Sequence, residues 1–194
     1  VLSFGQLTVT VPTVTAMPGQ TVLVPVKLYG GTANPIGSAN ISIKYDTALL
    51  TYDTLANFTA LMPASQWYYS GNYNADCNSF TVSANWLHPS LLTTSIPDGT
   101  TLFDMVFVYK GGNASLPFCV YEFTNAVFDF IPTTAVNGAV NVPSLTGPTT
   151  LCQGSAGNVY TTDAGNTNYV WTVTGGTVTS GGTSANNTVT VTWN

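Results

Sequence analysis

Apolar and polar residues alternate with a period of two along most of this chain. The pattern is clearest in QLTVTVPTVT at 6–15 and in TVLVPVKLYG at 21–30, which are separated by a Pro-Gly turn in MPGQ. Successive side chains of a β-strand point to opposite faces, so this period predicts strands with one buried face. The same pattern predicts further strands in NISIKYD, SFTVSANW, TLFDMVFVYK, LPFCVYEFTNAVFDF, NGAVNV, NYVWTVTGG and NTVTVTW.

Helical periodicity is nearly absent. Only DTALLTYDTLANFTALM at 46–62 has a spacing that suits a turn or a short helix. Strands that recur every 8 to 12 residues, with Gly, Pro and Asn between them, are typical of an all-β sandwich. We therefore predict an all-β fold.

A domain boundary is predicted within VNVPSLTGPTTLCQG, where Pro143, Gly147 and Pro148 bracket a short polar link. The composition changes after this link, because residues 143–194 contain no Lys and only one acidic residue, Asp163. The sequence thus predicts a first domain over residues 1–142 and a second over residues 143–194.

The charge content is unusually low. Only 6% of the 194 residues are charged, and the cations are Lys27, Lys44 and Lys110, without any Arg. Nucleic-acid binding through phosphate neutralisation is therefore excluded. No apolar run approaches the roughly 18 residues of a membrane span. A surface made polar by Thr, Asn, Ser and Gly favours a secreted or cell-surface protein.

The residues do not indicate an enzyme. His88 is the only histidine, and beside Pro89 it is interpreted as a loop residue that caps a turn. The cysteines lack metal-site spacing, and no D-x-D-x-D-G loop is present. We predict no catalytic residue, no metal and no cofactor. A structural calcium ion near Asp76 or Asp98 is the alternative.

Four segments resemble the cohesin family in the order in which that family has them. They are PGQTVLVPVKL, IGSANISIKYDTALLTYD, PDGTTLFDMVFVYKGG and AVNGAVNV. The resemblance implies a cohesin-like jelly-roll β-sandwich that contacts other protein modules, of which dockerins are the best-known partners of the family.

The resemblance also implies a contact face. In NISIKYD, side chains alternate, so that Ile41 and Ile43 would be buried while Asn40, Ser42 and Lys44 are displayed. In cohesins this strand belongs to the face that docks the partner. Asn40, Ser42 and Lys44 are therefore the predicted partner-binding residues, with an ordinary solvated strand as the alternative.

The segment LTGPTTLCQG through VTW is similar to the PKD-like, immunoglobulin-type repeats of secreted Bacteroidetes proteins. Such repeats continue with further strands and a second cysteine, so we expect the domain to be incomplete at Asn194 and Cys152 to pair beyond it. A neighbouring copy that supplies the missing strands is the alternative. The resemblance leaves Cys77 and Cys119 to pair with each other, with two buried free thiols as the other possibility.

A carbohydrate-binding module of a larger polysaccharide-degrading enzyme is the rival function. Trp67, Tyr68, Tyr69 and Trp86 would stack on sugars if their rings were exposed, whereas core packing is the usual role of such residues. Buried tryptophans together with a free sheet edge would favour assembly instead.

The preferred function is a non-enzymatic extracellular module for adhesion, scaffolding or fibre assembly. Its predicted partners are other protein modules or copies of itself, because so few charges leave strand edges open to pairing. Two Asp-Thr pairs look like the O-glycosylation signal of Bacteroidetes, which would place glycans on Thr47 and Thr54.

Overall fold

A computed structural model describes residues 6–165 and 168–194 of the chain. The chain forms two compact units, Val1–Val142 and Pro143–Asn194. Each unit is described by itself below.

The first unit is built from twelve strands. Its strands are β1 (Leu7–Thr10), β2 (Thr13–Thr15), β3 (Thr21–Tyr29), β4 (Ser38–Lys44), β5 (Leu50–Ala56), β6 (Trp67–Asn74), β7 (Ser79–Leu87), β8 (Thr100–Tyr109), β9 (Ala114–Leu116), β10 (Phe118–Thr124), β11 (Thr133–Val136) and β12 (Gly138–Asn141), with a 3₁₀ turn at Ala64–Gln66. They form a five-stranded sheet in the order β11-β1-β3-β8-β5, a four-stranded sheet in the order β10-β4-β7-β6, and a small β2-β12-β9 sheet.

The two larger sheets pack face to face around an apolar core. Along β3 the side chains of Val22, Val24, Val26 and Leu28 are buried while the alternate positions are half-buried or exposed. Strand β8 lies between β3 and β5 and is buried more continuously, with Phe103 and Phe107 fully buried. The period-two pattern therefore produces a sandwich because the apolar face of each sheet covers that of the other.

A disulfide bond joins Cys77 to Cys119, with their Cα atoms 5.9 Å apart. This is the pairing that the sequence resemblance implied. Cys77 lies in the turn between β6 and β7, and Cys119 lies in β10 at the opposite edge of the same sheet. The bond closes a loop of 42 residues in sequence. Cys152 is a free, exposed cysteine.

Two segments of the first unit differ from the pattern-based predictions. In residues 46–62, backbone bonds from Leu49 and Leu50 to the Asp46 carbonyl make a turn, and strand β5 follows it instead of a helix. Residues 125–130, predicted as a continuation of a strand, form a turn in which the Asn125 side chain accepts bonds from the Val127 and Asp129 amides. Asn side chains mimic a backbone turn in this way, which ends the strand.

The second unit contains one four-stranded sheet in the order β13-β14-β16-β15. Its strands are β13 (Leu145–Thr146), β14 (Asn158–Thr162), β15 (Gly176–Gly181) and β16 (Thr188–Trp193). The segment NYVWTVTGG was predicted as a strand, but residues 168–174 are not part of one. Tyr169 and Trp171 instead bond individually to the carbonyls of Ser184 and Asn186, and these contacts replace a strand ladder.

The described part of the chain contains no helix with the length and apolar character needed to cross a membrane.

Candidate partner-binding face

The outer face of the β10-β4-β7-β6 sheet carries the predicted contact residues. Ala39, Ile41 and Ile43 of β4 point into the core, each at most 3% exposed. The alternate positions of β4 therefore point outward. We define the outer face by these positions and by the residues that pair with them on the neighbouring strands.

Strand pairing arranges the outer face in rows. Glu122, Asn40, Asn85 and Tyr68 are aligned across the four strands, one from each. The next row is Val120, Ser42, Ser83 and Ser70. The row after it holds Lys44, Thr81 and Asn72. Most of these side chains carry hydroxyl or amide groups, with one cation and one acid, and Thr81 among them is only 1% exposed.

Lateral hydrogen bonds hold these side chains in place. Asn40 donates from Nδ2 to Glu122 Oε2 at 3.0 Å. The hydroxyls of Ser42 and Thr81 both lie 2.9 Å from that of Ser83. A preorganised row of this kind loses little side-chain entropy when a partner binds, so it is suited to recognition.

The three predicted contact residues have different surroundings. Asn40 and Lys44 are partly exposed and can reach a partner. Ser42 is only 3% exposed. The expectation that all three would be displayed is therefore wrong for Ser42, which supports the surface from beneath through its bond to Ser83.

Sequence reasoning did not place Glu122 and Asn85 on this face. Glu122 is separated from Asn40 by 82 positions, and their contact depends on the pairing of β10 with β4. The alternating pattern of FCVYEFTN indicated only that Glu122 could face solvent. No signal in a single sequence identifies which strand will lie beside another.

The residues proposed for stacking on sugars separate into two groups. Trp67 and Trp86 are 6% and 2% exposed, with ring centroids 6.5 Å apart in the core. Their indole N–H groups bond to the Met62 carbonyl and to Gln66 Oε1. Neither ring is available to a ligand, so the carbohydrate-binding interpretation does not hold for the two tryptophans.

Tyr68 and Tyr69 are exposed on strand β6. Tyr68 is 83% exposed and lies in the row of Asn40, whereas Tyr69 is 41% exposed and packs against Phe58 with a centroid separation of 5.7 Å. Tyr68 therefore adds an aromatic side chain to one end of the outer face.

A shallow groove of about 380 Å³ lies at the Lys44 end of the outer face. Tyr73, Phe80 and Asp46 contribute to its walls together with Thr47. The Thr47 side chain is exposed, and its carbonyl accepts a bond from Lys110 Nζ at 2.7 Å. The Thr54 hydroxyl is partly buried and donates to the Leu55 carbonyl at 3.3 Å. Glycosylation of Thr47 and Thr54 stays a prediction.

The remaining polar candidates have structural partners. His88 Nδ1 accepts bonds from the amides of Ser90 and Leu92, which is the capping role expected for it. Asp98 accepts a bond from the Gly30 amide at 2.7 Å, and Asp76 lies in a turn organised by Asn74. Within residues 6–165 and 168–194, no three His, Cys, Asp or Glu side chains cluster as metal ligands.

Comparisons with known proteins agree on the fold of the first unit. The model of the cohesin domain matches residues 7–118. Among solved structures, the sixth cohesin of scaffoldin B from Acetivibrio cellulolyticus, in complex with a Cel5 dockerin, is 22% identical with a TM-score of 0.61, covering 71% of this chain and 99% of that one. No match was found among curated proteins.

Two further structures show the same likeness. A cohesin from a type I cohesin–dockerin complex of Clostridium thermocellum is 19% identical with a TM-score of 0.60, covering 71% of this chain and 99% of that one. A non-cellulosomal cohesin of Archaeoglobus fulgidus is 20% identical with a TM-score of 0.59, covering 72% of this chain and 93% of that one. At these identities the likeness establishes the jelly-roll sandwich.

Proposed function

The chain belongs to the cohesin family, whose model matches residues 7–118. From that premise we propose that it is a non-catalytic extracellular module that binds other protein modules for adhesion or scaffolding. The observation that carries the proposal is the ordered row of Glu122, Asn40, Asn85 and Tyr68 across the outer face. Such a face offers hydrogen bonds at fixed spacing without any reactive group.

The chemistry of the face limits the partner. Lys44 and Glu122 are its only charged side chains in the three rows, and Glu122 already accepts a bond from Asn40. A strongly charged partner surface would lose water without gaining ion pairs. We therefore expect a partner that presents hydroxyl and amide groups, with apolar side chains at its ends. Two of the similar structures are complexes with dockerins, so a dockerin-type module is the first partner to test.

An extracellular location is part of the proposal. The Cys77–Cys119 disulfide supports it, because disulfides persist in oxidising compartments. The low proportion of charged residues, 6%, is also consistent with a protein whose surface polarity comes from Thr, Ser and Asn.

The second unit is assigned within the same proposal to the PKD-like repeats of secreted Bacteroidetes proteins. Its antiparallel sheet of short Thr-rich strands is compatible with an immunoglobulin-type module. Such a repeat would act as a spacer in a longer scaffold or fibre.

The decisive test is binding of purified dockerin modules, measured by titration calorimetry, to the chain and to Asn85→Arg. Asn85 is exposed at the centre of the main row, so a long charged side chain there should weaken binding at least tenfold. Thr21→Arg, on the exposed side of β3 in the other sheet, is the matched control and should bind like the unmodified chain.

Equal binding by both variants would show that the outer face is not the contact surface. Binding by no dockerin module would contradict a dockerin-type partner. Thermal unfolding of both variants establishes that each is folded.

A further inference from the structure

Strand β6 is the one long sheet edge of the first unit that carries no protection against strand pairing. It runs for eight residues, WYYSGNYN, without a charged residue or a proline. It pairs with β7 at every position from Trp67 to Asn74 without a bulge. Natural sheet edges are normally shortened, bulged, charged or covered, because a regular exposed edge is a template for another strand.

The other edges of the two large sheets have such protection. Strand β5 has an irregularity in its pairing at Asp53, which adds a charge. Strand β10 has an irregularity at Cys119, where the disulfide attaches, and it carries Glu122. Strand β11 is four residues long and follows Pro132. Strand β6 has none of these features and differs in this respect from the other three edge strands of the two large sheets.

The outward backbone groups of β6 are open. From Tyr68 to Asn74, no backbone hydrogen bond to an element other than β7 is found among the described residues. The Tyr52 ring lies against Gly71 on the inner side, and Tyr68, Tyr69 and Tyr73 remain 83%, 41% and 56% exposed. Both the hydrogen-bonding groups and the side chains are accessible to an incoming strand.

The sequence of β6 is complementary to itself in the antiparallel direction. We propose that the β6 edges of two copies of this chain pair antiparallel, centred on Gly71, to form a continuous eight-stranded sheet. In this register Tyr69 of one copy faces Tyr73 of the other, and Ser70 faces Asn72. Cross-strand aromatic pairs stabilise sheets.

The self-complementary register of β6 points to a second copy as the occupant, and charge does not oppose it there. The chain has a net charge of −5, and like charges disfavour most face-to-face contacts between copies. Strand β6 itself carries no charge, so a copy that pairs there brings no like charges into direct opposition. A seven-residue strand pair is smaller than a standard protein interface, so the dimer should be weak and visible only at high protein concentration.

Such a pair would have a consequence for binding. The two-fold axis of an antiparallel strand pair is perpendicular to the sheet, so the outer faces of both copies would be exposed on the same side. A weak dimer would then present two equivalent surfaces to a bivalent partner, and avidity would raise the apparent affinity.

Sedimentation velocity of the full chain over a wide concentration range is the primary test. The proposal predicts a reversible monomer–dimer equilibrium whose dissociation constant rises at least tenfold in Ser70→Lys/Asn72→Lys, because each pair of lysines then opposes the other copy's lysines. The control is Thr21→Lys/Leu23→Lys, which has the same net charge and spacing on the exposed side of the central strand β3. This control should dimerise like the unmodified chain.

A cross-linking experiment tests the proposed register of the β6–β6 pair. In a Cys152→Ser background, which removes the exposed free thiol, Ser70→Cys and Asn72→Cys are prepared separately. Oxidation of their mixture should yield a disulfide-linked dimer much faster than oxidation of either alone. Facing residues in a ladder lie about 4.5 to 5.5 Å apart, within disulfide range.

The proposal is overturned by a monomer at every concentration, by a dimer that the β6 lysines leave intact, or by the same slow cross-linking in the mixture and in the separate variants. None of these outcomes depends on whether a dockerin binds, because no partner is present in either experiment.

Discussion

The two units of the chain share one sequence pattern but are stabilised differently. Nearly all of the buried apolar side chains lie in the first unit, whereas the second buries only Val189 and Val191 among the apolar residues that the structure describes. Both units have alternating strands and antiparallel pairing. Alternation therefore specifies which face of a strand is apolar, but burial requires a second layer to cover that face.

The second unit relies on polar bonds where the first relies on apolar packing. Asn158 is buried and donates from Nδ2 to the carbonyls of Ser155 and Val191 at 2.8 and 3.1 Å. Ser144 donates to Asp163 from its hydroxyl and its amide, and these bonds lower the pKa of the Asp163 carboxyl.

The largest expected effect comes from removing the disulfide, which should destabilise the first unit and leave the second unchanged. Cys77→Ala/Cys119→Ala removes the bond that closes a 42-residue loop, which should destabilise the first unit by about 4 kcal/mol by chain entropy. Hydrogen exchange measured by mass spectrometry should show faster exchange throughout β4, β7 and β8, with no change in β14 or β16.

Cys152→Ala is the control for this change and should leave both units unaffected, since Cys152 is exposed and unbonded. Faster exchange in β16 of the double variant would contradict the expectation that the effect is confined to the first unit.

An intermediate effect is expected in the second unit at Asn158. Asn158→Ala leaves two backbone carbonyls without their side-chain partner and should cost about 2 kcal/mol. Asn187→Ala removes one side-chain hydrogen bond, to the Thr162 carbonyl at 3.1 Å, and should cost less. Exchange rates of the β16 amides measure both. A smaller effect at Asn158 than at Asn187 would break the proposed reliance of this unit on its buried amide.

The smallest expected effect concerns two tyrosine hydroxyls in the first unit. Removing them should change the free energy of unfolding in opposite directions. The Tyr52 hydroxyl is buried without a hydrogen-bond partner among the described residues, so Tyr52→Phe should stabilise the unit by about 1 kcal/mol. The Tyr109 hydroxyl donates to the Gly112 carbonyl, so Tyr109→Phe should destabilise it by about 1 kcal/mol. Denaturant unfolding at neutral pH distinguishes the two.

The stability linked to Tyr52 and Tyr109 should also depend on pH. Burial raises the pKa of Tyr52 and of Tyr109 above the ordinary value of 10.0. The stability linked to these groups is complete below pH 10 and is lost as the pH rises above it, because the unfolded tyrosines ionise first. Tyr52→Phe should therefore reduce the loss of stability in alkaline solution. An unchanged alkaline unfolding curve would show that Tyr52 does not contribute to it.

Much of the candidate face could be predicted from local pattern. The alternation of NISIKYD correctly placed Ile41 and Ile43 in the core and turned Asn40 and Lys44 outward. It could not show that Ser42 would be buried, because the burial of Ser42 and its bond to Ser83 both depend on which strands lie beside β4. The same limit applies to Glu122, whose position beside Asn40 follows from the pairing of β10 with β4.

By itself the sequence determined the all-β class and the apolar face of each long strand. Both depend on the residue period along a continuous segment. Only the tertiary structure decided that Trp67 and Trp86 are buried, that Glu122 joins the row of Asn40 and that β6 is left as an open edge. Those features depend on which strands become neighbours and on what covers each face, and contacts between residues far apart in sequence decide both.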